Sequence, residues 1–392
     1  MATQPLKANC MSTVLQRTDV EQVLRPIESD LLARTGGHAM QWYGRAATSL
    51  YRTFRLARLL HGDAHNVEVI LPSISCATPA NAALLAGLTP RFADVDPESG
   101  MPTLSSIQER CTPNTGAVVF IHLFGQTADI KDLGDWCREK GILLIEDLAQ
   151  ALGASLPDGT PAGSVGDLSV FSFNPTKILE CGGGALLIRN PGLLGPLAQL
   201  AESDLLWTEI DEARGAMLAG SYRNLHHSLV ALLRSRAVDE ISSAFLKLQP
   251  AFRSLYLRRM KNPAALLNAW DQLDHLLEHR LQNAKQYDHL LGDSGWKRLK
   301  QWHQSGVCWR YSLLVDFPDQ LVPFCEAVRR DGFHVSNLYW PVNDFFLPSD
   351  ACRNAENFAR RIVNLWVDSS VDDQWVSDCA KSLLRNRPRK TM

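Results

Sequence analysis

The chain has 392 residues, of which 45% are hydrophobic, and its 40 basic and 42 acidic residues nearly cancel in charge. This length favours a large domain with a smaller one, and the hydrophobic content excludes global disorder. The charge balance argues against a nucleic-acid partner. No stretch reaches the roughly 18 apolar residues of a membrane span, and the first residues lack the apolar run of a signal peptide, so we expect no membrane partner.

The cysteines bear on location and on metal binding. Nine are scattered along the sequence, and none forms a Cys-x-x-Cys pair. Spacing therefore gives no support for a metal site, and an odd number of thiols in a large chain is typical of reduced cysteines. We expect a cytoplasmic protein without a metal centre.

Predicted strands and helices alternate between residues 40 and 190. A helix follows Gly44, and two later helices end at Gly87 and Gly141, the second with Asp129 as its predicted N-cap. Six apolar runs predict strands: NVEVILPS, TPRFADVD, AVVFIHLFG, GILLIEDLAQ, LSVFSF and GALLIRN. This alternation predicts an α/β fold with a mostly parallel sheet covered on both faces, in which ligands bind beyond the carboxyl ends of the strands.

The rest of the chain is predicted to be helical first and mixed afterwards. The helical part runs from about 191 to 292, and its apolar stripe should pack on the sheet domain or on a partner subunit. That stripe contains Trp270, Leu273, Leu277, Leu281, Ala284 and Tyr287. The runs WRYSLLVDF, LVPFCEAVRRDG, FHVSNLYW and DDQWVSDCAKSLL then predict a small α+β domain. We place the large domain at residues 1–250, and the helical connection with the small domain at 251–392.

Three stretches carry polar residues where chemistry could occur. ILLIEDLAQALGA places Glu146, Asp147 and Gln150 at the end of a strand, and SFNPTKILECGGGALLI places Ser172 and Lys177 in a turn before a glycine triplet. In YGRAATSL, a glycine and an arginine (Gly44-Arg45) enter a helix. Each signal alone is weak, because carboxylates often cap turns and most turn lysines are solvated.

Taken together, these stretches match the needs of pyridoxal 5′-phosphate. That cofactor requires a lysine amine for a Schiff base, a carboxylate against its pyridine nitrogen, and a helix N-terminus with hydroxyl groups for its phosphate. A nicotinamide cofactor is not supported, because the glycines after Lys177 lead into a strand and do not open a helix.

The sequence resembles the DegT/DnrJ/EryC1/StrS family of sugar aminotransferases, as a divergent member. The resemblance is strong over residues 66–190 and weaker, but collinear, to the C-terminus. VVFIHLFGQTADI resembles the family's His-Leu-Tyr-Gly-Gln element, LLIEDLAQALGA its Glu-Asp-x-Ala-Gln segment, and SVFSFNPTKILECGGG its Ser-Phe-x-x-x-Lys segment with the glycine turn. The resemblance implies a pyridoxal-phosphate-dependent transferase of fold type I, like aspartate aminotransferase.

The resemblance also implies roles for individual residues. Lys177 would form the Schiff base and then act as general base, and Asp147 would pair with the pyridinium. Gln150 would contact the hydroxyl side of the ring, while Ser172 and the backbone after Gly44 would bind the phosphate. The partners implied are a small-molecule amino donor (glutamate or glutamine), a keto acceptor such as a sugar, and a second copy of the chain in a homodimer.

Three positions depart from the family's pattern. Arg45 stands where a threonine is usual and can still hold a phosphate, and Cys76 stands where an aromatic residue usually stacks on the cofactor. The family's cross-subunit Gly-x-Asn-x-Arg element lacks its asparagine here, and Arg234 or Arg236 is the candidate replacement. These departures leave two alternatives open: another pyridoxal-phosphate reaction such as elimination, decarboxylation or carbon–carbon bond formation, or a non-catalytic scaffold.

Overall fold

The computed structural model describes residues 17–62, 65–203, 209–236, 251–292, 294–299, 305–346 and 350–388. The predicted domain boundary at residue 250 lies outside these ranges. The helices in them are α1 (Arg17–Thr35), α2 (Ala46–Leu60), α3 (Thr78–Ala86), α4 (Leu104–Gln108), α5 (Lys131–Lys140), α6 (Leu194–Ser203), α7 (Glu209–Ser235), α8 (Phe252–Tyr256), α9 (Pro263–Trp270), α10 (Leu273–Leu291), α11 (Leu321–Arg330), α12 (Asn343–Phe346), α13 (Arg353–Ala359) and α14 (Asp373–Arg385).

The strands form two sheets. Within the described residues the larger sheet has seven strands in the order β1-β7-β6-β5-β4-β2-β3, and the smaller has four in the order β10-β11-β9-β8. Their bounds are β1 (Ala39–Tyr43), β2 (Glu68–Pro72), β3 (Thr89–Ala93), β4 (Thr115–Ile121), β5 (Leu143–Asp147), β6 (Leu168–Ser172), β7 (Gly184–Ile188), β8 (Lys297–Arg298), β9 (Tyr311–Leu314), β10 (Val335–Ser336) and β11 (Ile362–Leu365).

The large sheet is mostly parallel, as predicted. β3, β2, β4, β5 and β6 run in one direction, and β7 is antiparallel to both β6 and β1. Strands β4 to β7 are buried at every residue, which requires cover on both faces and explains their continuous apolar runs. The carboxyl ends of β5 and β6 lie side by side, so Asp147 and Ser172 come to the same edge of the sheet.

The small sheet divides its two faces between a core and a cavity. Tyr311, Leu313, Val363 and Leu365 point to one face and pack in a second hydrophobic core with residues of α10 and α14. Side chains alternate along a strand, so the residues between them point the other way, among them the directly paired Ser312 and Asn364. Helix α10 joins the two parts of the chain, because Leu273 packs in the large core whereas Tyr287 packs in the small one.

Two local predictions are wrong in detail. Helix α5 has Ile130, not Asp129, as its N-cap, and the Asp129 carboxylate instead accepts the N–H of Lys131, two residues further along the chain. The run FHVSNLYW is a strand only at Val335–Ser336, after which the chain leaves the sheet. None of the described helices has the length and apolar character needed to cross a membrane.

Candidate active site

Lys177 lies in a loop that is closed at its base. We call residues 173–183, between β6 and β7, the lysine loop. The Phe173 N–H donates to the Gly183 carbonyl (3.0 Å), and the Gly182 N–H donates back to the Phe173 carbonyl (2.6 Å). Gly182 and Gly183 have φ of 79° and 111°, a region that side chains disfavour, so the glycines make this closure possible.

A tryptophan that lies just before strand β9 of the small sheet holds the tip of the lysine loop. Trp309 Nε1 donates to the carbonyl of Thr176 at 2.6 Å, and Thr176 has φ of 72°, a strained conformation for a β-branched residue. The amine of Lys177 lies 5.6 Å from the centroid of the same indole. The position of Lys177 therefore depends on a residue that the sequence did not single out.

The two acids at the end of β5 have different surroundings. Glu146 is fully buried and accepts the N–H groups of Gly163 (2.8 Å), Val165 (2.8 Å) and Gly166 (2.7 Å), while His122 Nε2 lies 3.1 Å away. Burial favours its protonated form, but the contact with His122 and the backbone bonds outweigh burial and lower the pKa of Glu146. Glu146 thus fixes the loop that follows and is not available for other chemistry.

Asp147 is buried but has fewer partners. One of its carboxylate oxygens accepts the N–H of Ala149 at 2.9 Å. Burial raises the pKa of Asp147, and this outweighs the bond from Ala149 and the nearby charges of Lys177 and His122, which favour the charged form. His122 Nδ1 is also buried, and no described residue pairs with it. A polar group bound beside Asp147 and His122 would satisfy both.

Gln150 bridges the large sheet to the small domain. Its side-chain oxygen accepts the N–H of Phe124 at 2.7 Å, and its amide nitrogen donates to the hydroxyl of Tyr339 at 2.9 Å. The ring of Phe124 meets Tyr339 edge-on, with 4.7 Å between the ring centroids. Gln150 is therefore held in one orientation at the cavity wall.

The predicted phosphate-binding residues meet around Gly184. Ser172 pairs with Gly184 across β6 and β7, and β1 leads directly from its pairing with β7 into α2. A Cβ on Gly184 would lie 2.3 Å from the nitrogen of Ala46, the first residue of α2, so only glycine allows this approach. The first N–H groups of a helix lack acceptors within it, so the start of α2 and the Ser172 hydroxyl form a suitable place for an anion.

Gly44 and Arg45 lie beside that place with partners of their own. The Gly44 N–H donates to the carbonyl of Arg258 at 2.7 Å and is therefore already used. The Arg45 guanidinium stacks over Tyr256, 5.2 Å from the ring centroid. Of the predicted phosphate ligands, the backbone after Gly44 and the Ser172 hydroxyl are better placed than the Gly44 N–H itself.

A cavity of about 410 Å³ lies beside the lysine loop. Cys76, Gln150 and Lys177 line it, together with Trp309 and Tyr339. Gly44, Arg45, Asp147 and Ser172 are not among the lining residues. The structure thus brings three of the seven predicted site residues to one cavity and leaves the other four outside its lining.

Known proteins with similar sequences decide the family. A dTDP-4-dehydro-2,3,6-trideoxy-D-glucose 4-aminotransferase of Saccharopolyspora spinosa is 31% identical over 337 residues, which cover 85% of this chain and 80% of the relative. The profile of the DegT/DnrJ/EryC1/StrS aminotransferase family matches residues 52–236. The chain belongs to this family. It is an aminotransferase, so neither another type of reaction nor a non-catalytic scaffold is retained.

Other relatives of this aminotransferase extend the comparison. An L-glutamine:2-deoxy-scyllo-inosose aminotransferase of Streptomyces kanamyceticus is 28% identical over 284 residues, which cover 70% of this chain and 60% of that one. The crystal structure of the aminotransferase TlmJ from Streptoalloteichus hindustanus superposes with a TM-score of 0.71 at 21% identity, covering 95% of this chain and 96% of TlmJ. This likeness confirms the expected fold type I.

Arg236, a proposed replacement for the family's cross-subunit asparagine, is engaged within its own chain. It donates to the carbonyls of Tyr339 (2.8 Å) and Ala359 (2.6 Å) and stacks over Trp340 at 5.1 Å. Burial lowers its pKa to about 10. In this aminotransferase Arg236 therefore fixes the end of α7 against the cavity wall, whereas Arg234 is exposed.

Proposed function

We propose that this aminotransferase uses pyridoxal 5′-phosphate to move an amino group from glutamate or glutamine to a keto group on a sugar or sugar-like metabolite. The names of the relatives support this substrate class. One acts on dTDP-4-dehydro-2,3,6-trideoxy-D-glucose, and another is named for L-glutamine and 2-deoxy-scyllo-inosose. The observation that carries the proposal is the amine of Lys177, held at a cavity wall by a strained and anchored loop.

The residues present fit the cofactor. Asp147 is a buried carboxylate with a raised pKa, and His122 Nδ1 is a buried polar atom without a described partner. Asp147 would hold the ring nitrogen, Gln150 would border the ring, and Ser172 with the start of α2 would hold the phosphate. When bound, the cofactor supplies a ring that accepts electrons from the substrate carbon.

The proposed roles of the side chains follow from their surroundings. A cationic partner would lower the pKa of Asp147, so Asp147 itself would remain ionised. Its negative charge would in turn keep a proton on the ring nitrogen that it faces. Lys177 would anchor the cofactor and, once released, carry a proton to or from the substrate carbon. Trp309 would keep the Lys177 amine from moving away between these steps, through its bond to Thr176.

We further propose that the chain is a cytoplasmic homodimer, with residues 1–250 as the cofactor-binding domain and 251–392 as the helical connection and small domain. The family's pattern brings a residue of the neighbouring subunit to the phosphate. Light scattering with the cofactor-loaded protein measures its mass and so tests the homodimer. A monomeric mass with full cofactor occupancy would contradict the dimer.

An absorption experiment tests the proposed function. The visible band of protein-bound pyridoxal phosphate is recorded before and after glutamate is added, for the wild type, Lys177→Ala and Lys131→Ala. Lys131 is an exposed lysine paired with Asp158 and serves as the matched control. We expect the band in the wild type and in Lys131→Ala only, and we expect glutamate to bleach it. A band that neither glutamate nor glutamine changes would contradict the proposed donor.

A further inference from the structure

Two buried arginines of the small domain share one carboxylate. Arg280 and Arg310 are 3% and 5% exposed, and both donate to the carbonyl of Trp309 at 3.0 Å. Arg310 also donates to Asp368 at 2.8 Å, whereas Arg280 interacts with that carboxylate only through its charge. Glu180, an exposed residue of the lysine loop, adds a weaker attraction to both. Two buried positive charges therefore face a single, partly buried negative one.

This imbalance is unfavourable in the protein as it stands. A buried charge is costly unless it is paired, and removal of the arginines from water lowers the pKa of both despite the nearby Asp368. A second anion beside Arg310 would complete the pairing.

Arg310 lines the same cavity as Lys177. Its guanidinium lies over the indoles of Trp309 and Trp366, at 4.5 and 4.6 Å from their centroids. Nη1 makes both of its hydrogen bonds, and among the described residues Nε and Nη2 have no partner. Arg310, Trp309 and Trp366 all line the cavity.

Asn364 adds a second unused donor at the same wall. It is 1% exposed, lines the cavity, and its side-chain oxygen accepts the hydroxyl of Ser312 at 2.6 Å. Its Nδ2 is buried and donates to none of the described groups. A buried donor without an acceptor is rare in folded proteins and calls for an explanation. A bound acceptor in the cavity supplies one.

We propose that Arg310 and Asn364 form a carboxylate-binding subsite, and that it holds a carboxylate of the amino donor while the donor's nitrogen faces Lys177. A guanidinium edge and an amide N–H match the two oxygens of a carboxylate, which is planar like them. The evidence for the subsite is the unbalanced charge of Arg280 and Arg310 and the unused donors of Arg310 and Asn364. Only the identity of the carboxylate as the donor's rests on the proposed function.

Binding of glutarate tests the subsite without any reaction. Glutarate has the two carboxylates of glutamate and no amino group, and its binding to the full-length protein, with and without cofactor, can be followed by calorimetry. We expect its Kd to rise at least about tenfold in Arg310→Gln and in Asn364→Asp, the loss of one charge-assisted hydrogen bond. Asn364→Asp keeps the acceptor for Ser312 and replaces the unused donor with a negatively charged oxygen, which would repel a bound carboxylate and compete with it for Arg310.

A matched control separates recognition from general damage. Arg298→Gln removes a guanidinium of the small domain that pairs with Asp288 at 3.2 Å and does not line the cavity. It should leave the Kd of glutarate unchanged, and Arg310→Lys should restore part of the affinity that Arg310→Gln loses. Equal glutarate affinity in the wild type, Arg310→Gln and Asn364→Asp would overturn the proposal.

Further measurements separate a carboxylate from a diphosphate as the bound anion, and separate failure of the subsite from failure of the proposed function. If pyrophosphate or a nucleoside diphosphate binds in an Arg310-dependent way and glutarate does not bind, the carboxylate assignment is wrong. If glutarate binding depends on Arg310 but glutamate never bleaches the wild-type band, the subsite is supported and the proposed donor fails. If glutamate bleaches the band equally well in the wild type and Arg310→Gln at low concentration, the proposed function is supported and the subsite fails.

Discussion

The neighbouring acids Glu146 and Asp147 are expected to respond oppositely when each is replaced by its amide. In Glu146→Gln, one oxygen keeps two backbone donors, but the new amide nitrogen faces the N–H of Gly163, 2.8 Å away, and His122, 3.1 Å away. Each charge-assisted bond lost costs on the order of 1–2 kcal/mol. We therefore expect the free energy of unfolding of cofactor-free E146Q to fall by about 2–4 kcal/mol.

Asp147→Asn is expected to stabilise the cofactor-free protein while it destroys activity. The substitution removes a buried charge whose pKa burial has raised, and it keeps the oxygen that accepts the Ala149 N–H. A gain on the order of 1 kcal/mol is reasonable for a group held for function at the expense of stability. Transamination should fall by at least about 100-fold, the scale of a lost positioned group.

Both differences should shrink at low pH. The lowered pKa of Glu146 means that its stabilisation is complete above the unfolded value of about 4.3 and is lost as the pH falls through the folded value. The raised pKa of Asp147 means that its cost is absent below about 3.9 and grows as the pH rises to the folded value. Urea unfolding of both variants at pH 7 and pH 3 measures this. Shifts in the same direction at pH 7 would refute the reasoning.

Three other perturbations address the cofactor side of the cavity. Gly184→Ala puts a Cβ 2.3 Å from the backbone nitrogen at the start of α2 and should weaken pyridoxal phosphate binding at least about tenfold in a spectrophotometric titration. Gly182→Ala is the control, because its Cβ meets no atom within 4 Å and the substitution costs only about 1–2 kcal/mol of backbone strain. Trp309→Phe deletes the hydrogen bond to the lysine loop, so the amide hydrogens of that loop should exchange about five to ten times faster. An unchanged exchange rate would contradict the anchoring role of Trp309. Native alkylation should modify Cys76 first among the described cysteines, because it alone of these is exposed, and bound cofactor should slow this reaction.

The fold was predictable where one periodicity dominates a segment. The strands of the large sheet are continuous apolar runs because they are buried on both faces, and glycine ends α3 and α5 in the left-handed conformation. Strand β1 was not predicted, because it lies at the sheet edge and only Met40 and Tyr43 of its five residues are buried, so its apolar pattern is weak. The predicted strand FHVSNLYW ends early because Tyr339 leaves the sheet to meet Gln150 and Arg236.

The candidate site was predictable only where its residues lie close in sequence or match the family's motifs. Lys177 and Gln150, which line the cavity, were predicted in this way. Trp309 and Tyr339 were not, because their partners in the site, Thr176 and Gln150, are 133 and 189 residues away along the chain. Such contacts depend on how the small sheet packs on the large one. The only local signal was the Trp-Arg pair at the start of the predicted strand WRYSLLVDF, and such a pair is equally typical of the exposed end of an ordinary strand.

The charges around the cavity explain why stability and binding should oppose each other in this protein. Asp147, at the end of β5, is a carboxylate that burial drives towards its protonated form, and two arginines of the small domain, of which Arg310 lines the cavity, share Asp368. Each imbalance costs stability in the empty protein and is relieved by a ligand of opposite charge. Arg310→Gln leaves a balanced pair of Arg280 and Asp368, so its fold should persist. Its loss of affinity for glutarate would then report recognition and not unfolding.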